Sequence, residues 1–564
     1  MTQGTHTPPP ADVPPGGGAS GTEGGTPPSG STLPDFMPPF GFGPNDPNYS
    51  AEDLVTRQMC AAVHLDGPFA NKVGGELMAV PHKAIWPVWD AVDYTVLARH
   101  AKWSRERRLV RDLALALLML ALIGSWVAIG LVAWLSGGLP WGLTLLAVAL
   151  IATWVWVAAR RIVKAYFLET IDIVAAIREK PAEANERLGA WDGLPPPASS
   201  TDFLSIVYRA MARFNVAIVK ARFFLIDWWK WVRGRGAFIH EGENPVLPPF
   251  DYLASMYDAN VILFQGDQKP FGMAGVTLDD WNLTVDVNRQ VNGVDHAATL
   301  SARDLHDKLV EEVPGGLLPQ LRSRSVVVAN GMHPKELGLF AETDEESKPG
   351  HTPGWYTDHP QNRVSRRTIE NWLQHPPEGA RVYAYFQKYA WRGHLVIGTA
   401  VNVYRGGNTL NIECNTHVLP PLQDEFNNMF DIPENPINLR KAMRRTLRVY
   451  TPKLLLQSLR ANYNNFFTPS GRQTVVRQLH KQRDEESRID YGSRINIRLA
   501  ASDASKMWRY PYVDDLEFAR VIRDKVLEVT RRYLESYGVP LAQFDEQVRI
   551  MRERKMKYDS EGEK

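Results

Sequence analysis

The chain has 564 residues, with 64 Lys and Arg against 63 Asp and Glu, so its formal net charge is +1. Hydrophobic residues make up 44% and charged residues 23%, which is ordinary for globular protein. This balance excludes a strongly basic nucleic-acid-binding domain. Two cysteines, Cys60 and Cys414, exclude a disulfide-rich scaffold and any metal site that needs four thiolates.

The first fifty residues form a Pro/Gly-rich segment with 12 Pro and 10 Gly. Such a composition offers too little apolar surface to offset the entropy of ordering, so residues 1–50 are predicted to be a disordered tail. Phe36, Phe40 and Phe42 stand among prolines, a pattern typical of short docking motifs. A plain solubilising tail is the alternative interpretation.

Two uncharged apolar runs predict a transmembrane helical hairpin over residues 113–159. The runs 113–135 and 141–159 are each about long enough to cross the hydrocarbon core, and a Gly/Pro-containing break separates them. The preceding segment, 51–112, is predicted to be helical and to continue directly into the first span. A buried helical hairpin inside a soluble protein is the alternative.

Basic residues border this hairpin on its outer sides and predict contacts with anionic lipid head groups. The residues before the first span are Lys102, Arg105, Arg107, Arg108 and Arg111, and those after the second are Arg160, Arg161 and Lys164. The positive-inside rule therefore predicts an inner-membrane protein with both termini in the cytoplasm.

Residues 160–235 are predicted to form basic juxtamembrane amphipathic helices. The segment 203–232 combines cations with bulky aromatic residues, a composition that suits a helix lying on anionic lipid. The residues assigned to that contact are Arg209, Arg213, Lys220, Trp228, Trp229 and Trp231. A core helix with snorkelling cations is the alternative, and no nucleic-acid partner is expected.

Residues 250–420 are predicted to be a mixed α/β domain, and residues 421–564 a mainly helical region. Strands are expected at 261–264, 281–287, 325–329, 381–386, 395–404 and 409–418, with a hairpin turn at 405–408. A further strand is expected at 494–500 because apolar residues alternate there. A cluster of cations on one helical face predicts either a partner-docking surface or a solvated face: Arg440, Lys441, Arg444, Arg445 and Arg448.

Nothing in the sequence predicts a catalytic residue, a metal ion or a cofactor. Phosphate-binding loops, nucleophile elbows and paired-histidine metal motifs are missing. His351, Asp358 and His359 are the best scattered candidates for chemistry, and a polar surface loop is the alternative. Cys414 and His417 are predicted to point to opposite faces of one strand, which disfavours a catalytic pair.

The combined prediction is a membrane protein with a disordered tail, a two-helix transmembrane hairpin and a large soluble α+β cytoplasmic domain. The tail and residues 100–164 resemble, in architecture rather than in motif, actinobacterial membrane adaptor proteins that accompany cytoplasmic contractile injection systems linked to regulated cell death. The architecture and the missing catalytic motifs favour a non-enzymatic, membrane-anchored adaptor, with a homo-oligomer among the partners considered. The resemblance implies that the tail or the soluble domain recruits a cytoplasmic protein assembly to the membrane. A membrane-tethered enzyme acting on a lipid or cell-wall precursor and a pore-forming death effector remain alternatives.

Overall fold

The fold was analysed in a computed structural model of the full chain. The structure describes residues 54–78, 92–135, 141–179, 259–266, 269–287, 300–315, 318, 321–334, 336–339, 360–427, 446–458, 490–493, 495–503 and 510–562. The predicted tail and the predicted basic-aromatic helix at 203–232 lie outside these residues. The predicted break at 136–140 lies outside them as well.

Among the described residues, four helices precede the sheet. Helices α1 (Leu54–Leu65) and α2 (Gly67–Met78) are short, whereas α3 (Tyr94–Leu135) and α4 (Trp141–Glu179) are 42 and 39 residues long. At about 1.5 Å per residue, α3 extends roughly 60 Å, about twice the thickness of the hydrocarbon core. Because α3 is one uninterrupted helix from Tyr94 to Leu135, the predicted continuation of the helix through residue 112 into the first apolar run is confirmed.

Helices α3 and α4 pack against each other and leave a wide apolar surface exposed. Both are long and apolar enough to cross a membrane. Val127 and Leu145 are each 66% exposed, and Leu150 is 62% exposed. Because a core helix of a soluble protein buries such residues, this surface is not the interior of the fold.

A six-stranded sheet forms the centre of the second half of the chain. Its strands are β1 (Val261–Phe264), β2 (Val276–Asp286), β3 (Arg322–Asn330), β4 (Ala380–Ala390), β5 (Leu395–Gly406) and β6 (Thr409–Leu419). Their spatial order is β1-β3-β4-β5-β6-β2, with β1 and β3 parallel and the other neighbours antiparallel. Gly407 has a φ of +60° in the two-residue turn between β5 and β6, which confirms the predicted hairpin.

Helices cover one face of the sheet. They are α5 (Ala302–Glu312), α6 (Arg366–Gln374), α10 (Tyr510–Ser536) and α11 (Leu541–Gly562). Alternate strand residues such as Leu283, Phe386 and Ile412 pack with Ile522 and Val526 of α10 in one apolar cluster. The two-residue period of the strands therefore matches the buried face that their sequences predict.

The short elements α7 (Asp424–Asn427), α8 (446–458) and α9 (Ile497–Ala500) lie between β6 and α10 in sequence. The prediction of a strand at 494–500 is wrong, because Asn496 caps α9 and its side chain accepts a hydrogen bond from the Leu499 amide. Arg498 is fully buried and donates to the carbonyl oxygen of His394 at 3.0 Å. Tertiary contacts thus override the local alternation of apolar residues.

A glycine-rich junction joins a distant segment to the parallel edge of the sheet. Asp490 accepts hydrogen bonds from the amides of Gly266 at 3.1 Å and Gly492 at 2.8 Å. A Cβ atom on Gly331 would lie 2.1 Å from the Gly492 nitrogen. Ser493 then forms a parallel bridge with the last residue of β1. Glycine is required here because two backbones meet at contact distance.

One apolar cluster connects the helices to the sheet domain. Val63, Phe69 and Leu97 of α1, α2 and α3 share it with Leu422 and Phe426, which follow β6. The ring centres of Phe69 and Phe426 are 4.9 Å apart with an edge-to-face arrangement. The helices and the sheet domain are therefore joined by buried apolar contacts.

Candidate functional site at the hairpin base

The hairpin base consists of residues 100–112 of α3 and 163–178 of α4, together with the end of α1 that packs on them. It is the place where the exposed apolar part of the two long helices ends and a polar network begins. Polar, charged and aromatic side chains interlock here, and the network is the strongest candidate for a functional role in the described part of the chain.

Arg107 lies between the two long helices, with its side chain only 2% exposed. Its Nη2 donates to the carbonyl oxygen of Tyr166 at 3.2 Å and to Thr170 Oγ1 at 3.1 Å. The same nitrogen lies 3.2 Å from Glu169 Oε2, and the guanidinium carbon lies 4.9 Å from the centre of the Tyr166 ring. One arginine therefore fixes α3 to one turn of α4 by charge, hydrogen bonds and ring contact.

Ser104 and Arg108 donate hydrogen bonds to a backbone carbonyl group at the C-terminal end of α1. The carbonyl oxygen of Val63 accepts from Ser104 Oγ at 2.7 Å and from Arg108 Nη2 at 3.3 Å. Helix ends leave such carbonyls unpaired, and a cation is favourable beside them. A Cβ atom on Gly67 would lie 2.8 Å from Arg108 Nη1, so the glycine leaves room for the guanidinium.

Two buried histidines connect α1 to α3. A hydrogen bond of 3.0 Å joins His64 Nε2 to His100 Nδ1, and Trp103 packs edge-on against the His64 ring. Burial lowers the pKa of His100 from 6.5 to about 4. Burial, and then the charges of His100, Arg107 and Arg108, lower the pKa of His64 well below 6.5. Both rings are therefore neutral at neutral pH.

The basic residues predicted to face lipid occupy different environments. The exposed ones are Arg105, Arg160, Arg161 and Lys164, and the half-buried ones are Lys102, Arg108 and Arg111. Arg107 departs from the expectation, because its guanidinium lies between the helices and contacts Glu169. Helix α4 supplies an acidic partner at that position, and the count of flanking charges alone does not reveal it.

Several predicted site residues lie outside the described residues. They are the docking candidates Phe36, Phe40, Phe42, Arg440, Lys441, Arg444 and Arg445, the lipid-contact candidates Arg209, Arg213, Lys220, Trp228, Trp229 and Trp231, and the polar candidates His351, Asp358 and His359. Arg448 is the member of the basic cluster that the structure describes, and it is exposed on α8.

Cys414 and His417 point to opposite faces of β6, as predicted. Cys414 is fully buried in the cluster under α10, and burial raises the pKa of its thiol. His417 Nε2 is 2.8 Å from Tyr385 Oη on the other face, and burial lowers its pKa to about 3. A thiol held protonated and a separated imidazole do not form a nucleophile and base. Among the described residues there is no group of three or more His, Cys, Asp or Glu placed to hold a metal ion.

Sequence reasoning missed the polar partners at the hairpin base. His64, His100, Glu169 and Thr170 were not singled out, although they make the contacts that fix α1, α3 and α4. A signal was present in α3, because residues 100, 104, 107, 108 and 111 recur at helical spacing and combine with aromatic residues. The partners on α4 and α1 carry no comparable pattern.

The comparison with known families concerns the sheet domain. Residues 280–557 match the family model of the AbeC-like domain. The AbeC-like match begins inside β2, includes β3 to β6 and ends inside α11, so it contains the helix-covered face of the sheet. The hairpin and its base lie outside the match. No curated protein and no solved structure matches the chain.

Proposed function

We propose that this protein is a non-enzymatic adaptor anchored in the cytoplasmic membrane. The hairpin of α3 and α4 spans the bilayer with both termini in the cytoplasm. It holds the AbeC-like domain at the inner face, where the domain recruits a cytoplasmic protein assembly. The architectural resemblance described above favours a contractile injection system as that assembly.

The exposed apolar surface of the hairpin carries the proposal. Leu120 and Val127 on α3 and Leu145 and Leu146 on α4 are each more than half exposed. Exposing so many large apolar side chains to water is unfavourable by about 25 cal/mol for each Å², whereas in hydrocarbon the exposure costs nothing. The helices satisfy their own backbone hydrogen bonds, as a lipid-facing segment must.

Charge and packing support the orientation and the adaptor role. Arg105 at the base of α3 and Arg160, Arg161 and Lys164 on α4 are exposed at the end of the hairpin that joins the sheet domain. The positive-inside rule places that end in the cytoplasm. The apolar cluster around Phe69 and Phe426 then holds the sheet domain close to the anchor, and tethering raises the local concentration of a docking surface for any partner at the membrane.

The anchoring is tested by charge substitutions in the full chain. Each arginine placed in a span costs about 2.5–3.5 kcal/mol of insertion free energy, so Leu120→Arg combined with Leu146→Arg is expected to abolish retention in carbonate-washed membranes. Leu65→Arg, a partly exposed position outside the hairpin, is the matched control and leaves retention unchanged. Retention of the double variant would contradict the anchoring. Protease access to terminal tags from outside intact cells would contradict the cytoplasmic orientation of the termini.

The adaptor role is tested by crosslinking in native membranes and mass spectrometry of the recovered proteins. The expected result is one stoichiometric cytoplasmic assembly with the parent chain and with Leu65→Arg, and loss of that assembly from membranes that carry the double variant. Recovery of lipid alone would contradict recruitment and favour a lipid-directed enzyme or a pore.

A further inference from the structure

We infer that helix α8 is a second membrane-contacting element, which lies at the surface of the bilayer beside the hairpin. The inference rests on the proposed insertion of α3 and α4. It extends that proposal, because it places part of the AbeC-like domain itself in contact with phospholipid.

Helix α8 packs on the hairpin at the level where lipid exposure begins. Leu447 shares an apolar cluster with Leu115 of α3 and with Ala159 and Val163 of α4. Further along α3, Leu117 is already 46% exposed. The contact therefore lies where the exposed apolar surface of the hairpin meets its polar base.

The side of α8 away from the hairpin remains apolar. Leu447, Thr451 and Ser458 are buried, and they share one side at helical spacing. Val449 and Leu456, which are 64% and 67% exposed, fall on the opposite side of the helix. Because α8 packs on the hairpin, its exposed apolar side extends the exposed apolar surface of α3 and α4.

The charges and aromatic residues of α8 favour an anionic phospholipid surface as the occupant. The segment 446–458 contains Arg448 and Lys453, both exposed, and no acidic residue. Tyr450 is 46% exposed and its ring contacts Phe167 of α4 with a centre distance of 6.5 Å. Tyrosine is enriched where one end of a side chain is apolar and the other is hydrated, as at the boundary between lipid and water.

Exposed Arg160 and Lys164 of α4 extend the same positive surface, since they lie within one turn of the residues that α8 contacts. The described part of α8 is about 20 Å long, and its exposed Arg448 and Lys453 suit a position along the interface rather than within the hydrocarbon. Helix α8 would thereby keep part of the AbeC-like domain in contact with the membrane surface. The protein would then be attached to the membrane at two places, the hairpin and α8.

The test labels one introduced, exposed cysteine at a time in the full chain, reconstituted in vesicles. The substitutions Val449→Cys and Leu456→Cys are labelled with an environment-sensitive fluorophore and reconstituted in vesicles of phosphatidylglycerol and phosphatidylcholine. Both positions are expected to show blue-shifted, several-fold brighter emission that a spin-labelled lipid quenches. The unsubstituted chain, whose Cys60 and Cys414 are buried, gives the labelling background.

Two reference positions separate this inference from the proposed anchoring. Leu131→Cys in α3 reports whether the hairpin is inserted, and Tyr404→Cys, exposed near the far end of β5, reports an aqueous position. A lipid-quenched label at Leu131 with a water-like label at both α8 positions overturns the inference and leaves the anchoring intact. A water-like label at Leu131 overturns both. If the labels at Val449 and Leu456 emit equally in vesicles of pure phosphatidylcholine, α8 contacts lipid without preferring anionic head groups. That result would overturn the assignment of an anionic phospholipid surface.

Discussion

At the scale of single residues, the packing of the hairpin base requires two buried histidines, His64 and His100, to be neutral. His64 and His100 share one hydrogen bond of 3.0 Å, so only one of the two contacting nitrogens carries the proton between them. A second proton would place a cation in a site already bordered by Arg107 and Arg108. The structure therefore stabilises the neutral pair and opposes its protonation.

We expect the folded protein to lose stability as the pH falls from about 6.5 to about 4. An unfolded histidine takes up a proton near pH 6.5, whereas His100 in the fold does so only near pH 4. The unfolded chain therefore binds more protons in this window, and each such histidine lowers the free energy of unfolding by about 1.4 kcal/mol for each pH unit. Above pH 6.5 this penalty is absent.

Substitution of His100 by Asn tests the origin of the effect. His100→Asn is expected to reduce the slope of unfolding free energy against pH by about one proton, measured by denaturant unfolding in detergent micelles. Above pH 6.5 the unfolding free energies of the parent chain and of His100→Asn should differ by a constant amount, which serves as the internal control. An unchanged slope in His100→Asn would show that other groups dominate the acid sensitivity.

At the scale of the elements, α3 and α4 are continuous helices that each join an apolar, exposed part to a polar part with buried side chains. Their apolar halves expose Leu120 and Leu150, and their polar halves bury Arg107 and Thr170. Because the polar contacts of Arg107 span one turn of α4, they fix the rotation of one helix relative to the other. The relative position of the two helices is therefore set outside the apolar region, by directional interactions.

Loss of Arg107 should weaken the helix pair more than loss of an exposed arginine from the same helix. Arg107→Leu removes the hydrogen bonds and leaves Glu169 unpaired, and since that carboxylate is 41% exposed we expect a cost of about 2–3 kcal/mol, below the value for a fully buried pair. Arg105→Leu should change stability by less than about 0.5 kcal/mol. Thermal unfolding of both variants in the same detergent compares them, and equal midpoints would contradict the assigned role.

At the scale of the whole molecule, one apolar cluster joins helices α1 to α3 to the sheet domain. Val63, Phe69 and Leu97 from the helices meet Leu422 and Phe426, so movement of the hairpin base is opposed by the residues that follow β6. A flexible linker alone would leave the sheet domain free to rotate relative to the hairpin. The buried contacts instead favour a fixed orientation of the sheet domain relative to α3 and α4.

Phe426→Ala should loosen this connection. Truncation of a buried phenylalanine costs about 3 kcal/mol, and here the lost contacts are those with Phe69 of α2. We expect faster hydrogen exchange in α1 and α2 and little change in β4 to β6. Tyr404→Ala, at an exposed position near the turn after β5, is the control, and uniform exchange changes across all elements would contradict a local connection.

Much of the architecture follows from local pattern. The apolar runs of α3 and α4 and the alternation in β2, with Trp281, Leu283 and Val285 buried, are present as predicted. These features depend on the period with which apolar residues recur along the chain. The segment at 494–500 shows the limit, because alternation there coincides with a buried arginine in a short helix.

The two long uncharged helices and the strands that bury alternate residues can be predicted from the chain alone, because the free energy of transfer out of water adds up residue by residue along a local pattern. The contact of Arg107 with Glu169, the hydrogen bond of His64 with His100 and the packing of α8 against α3 and α4 emerge only once the chain is folded. Those pairings join residues far apart in the chain, and directional contacts between such residues depend on how helices pack, which no local pattern encodes.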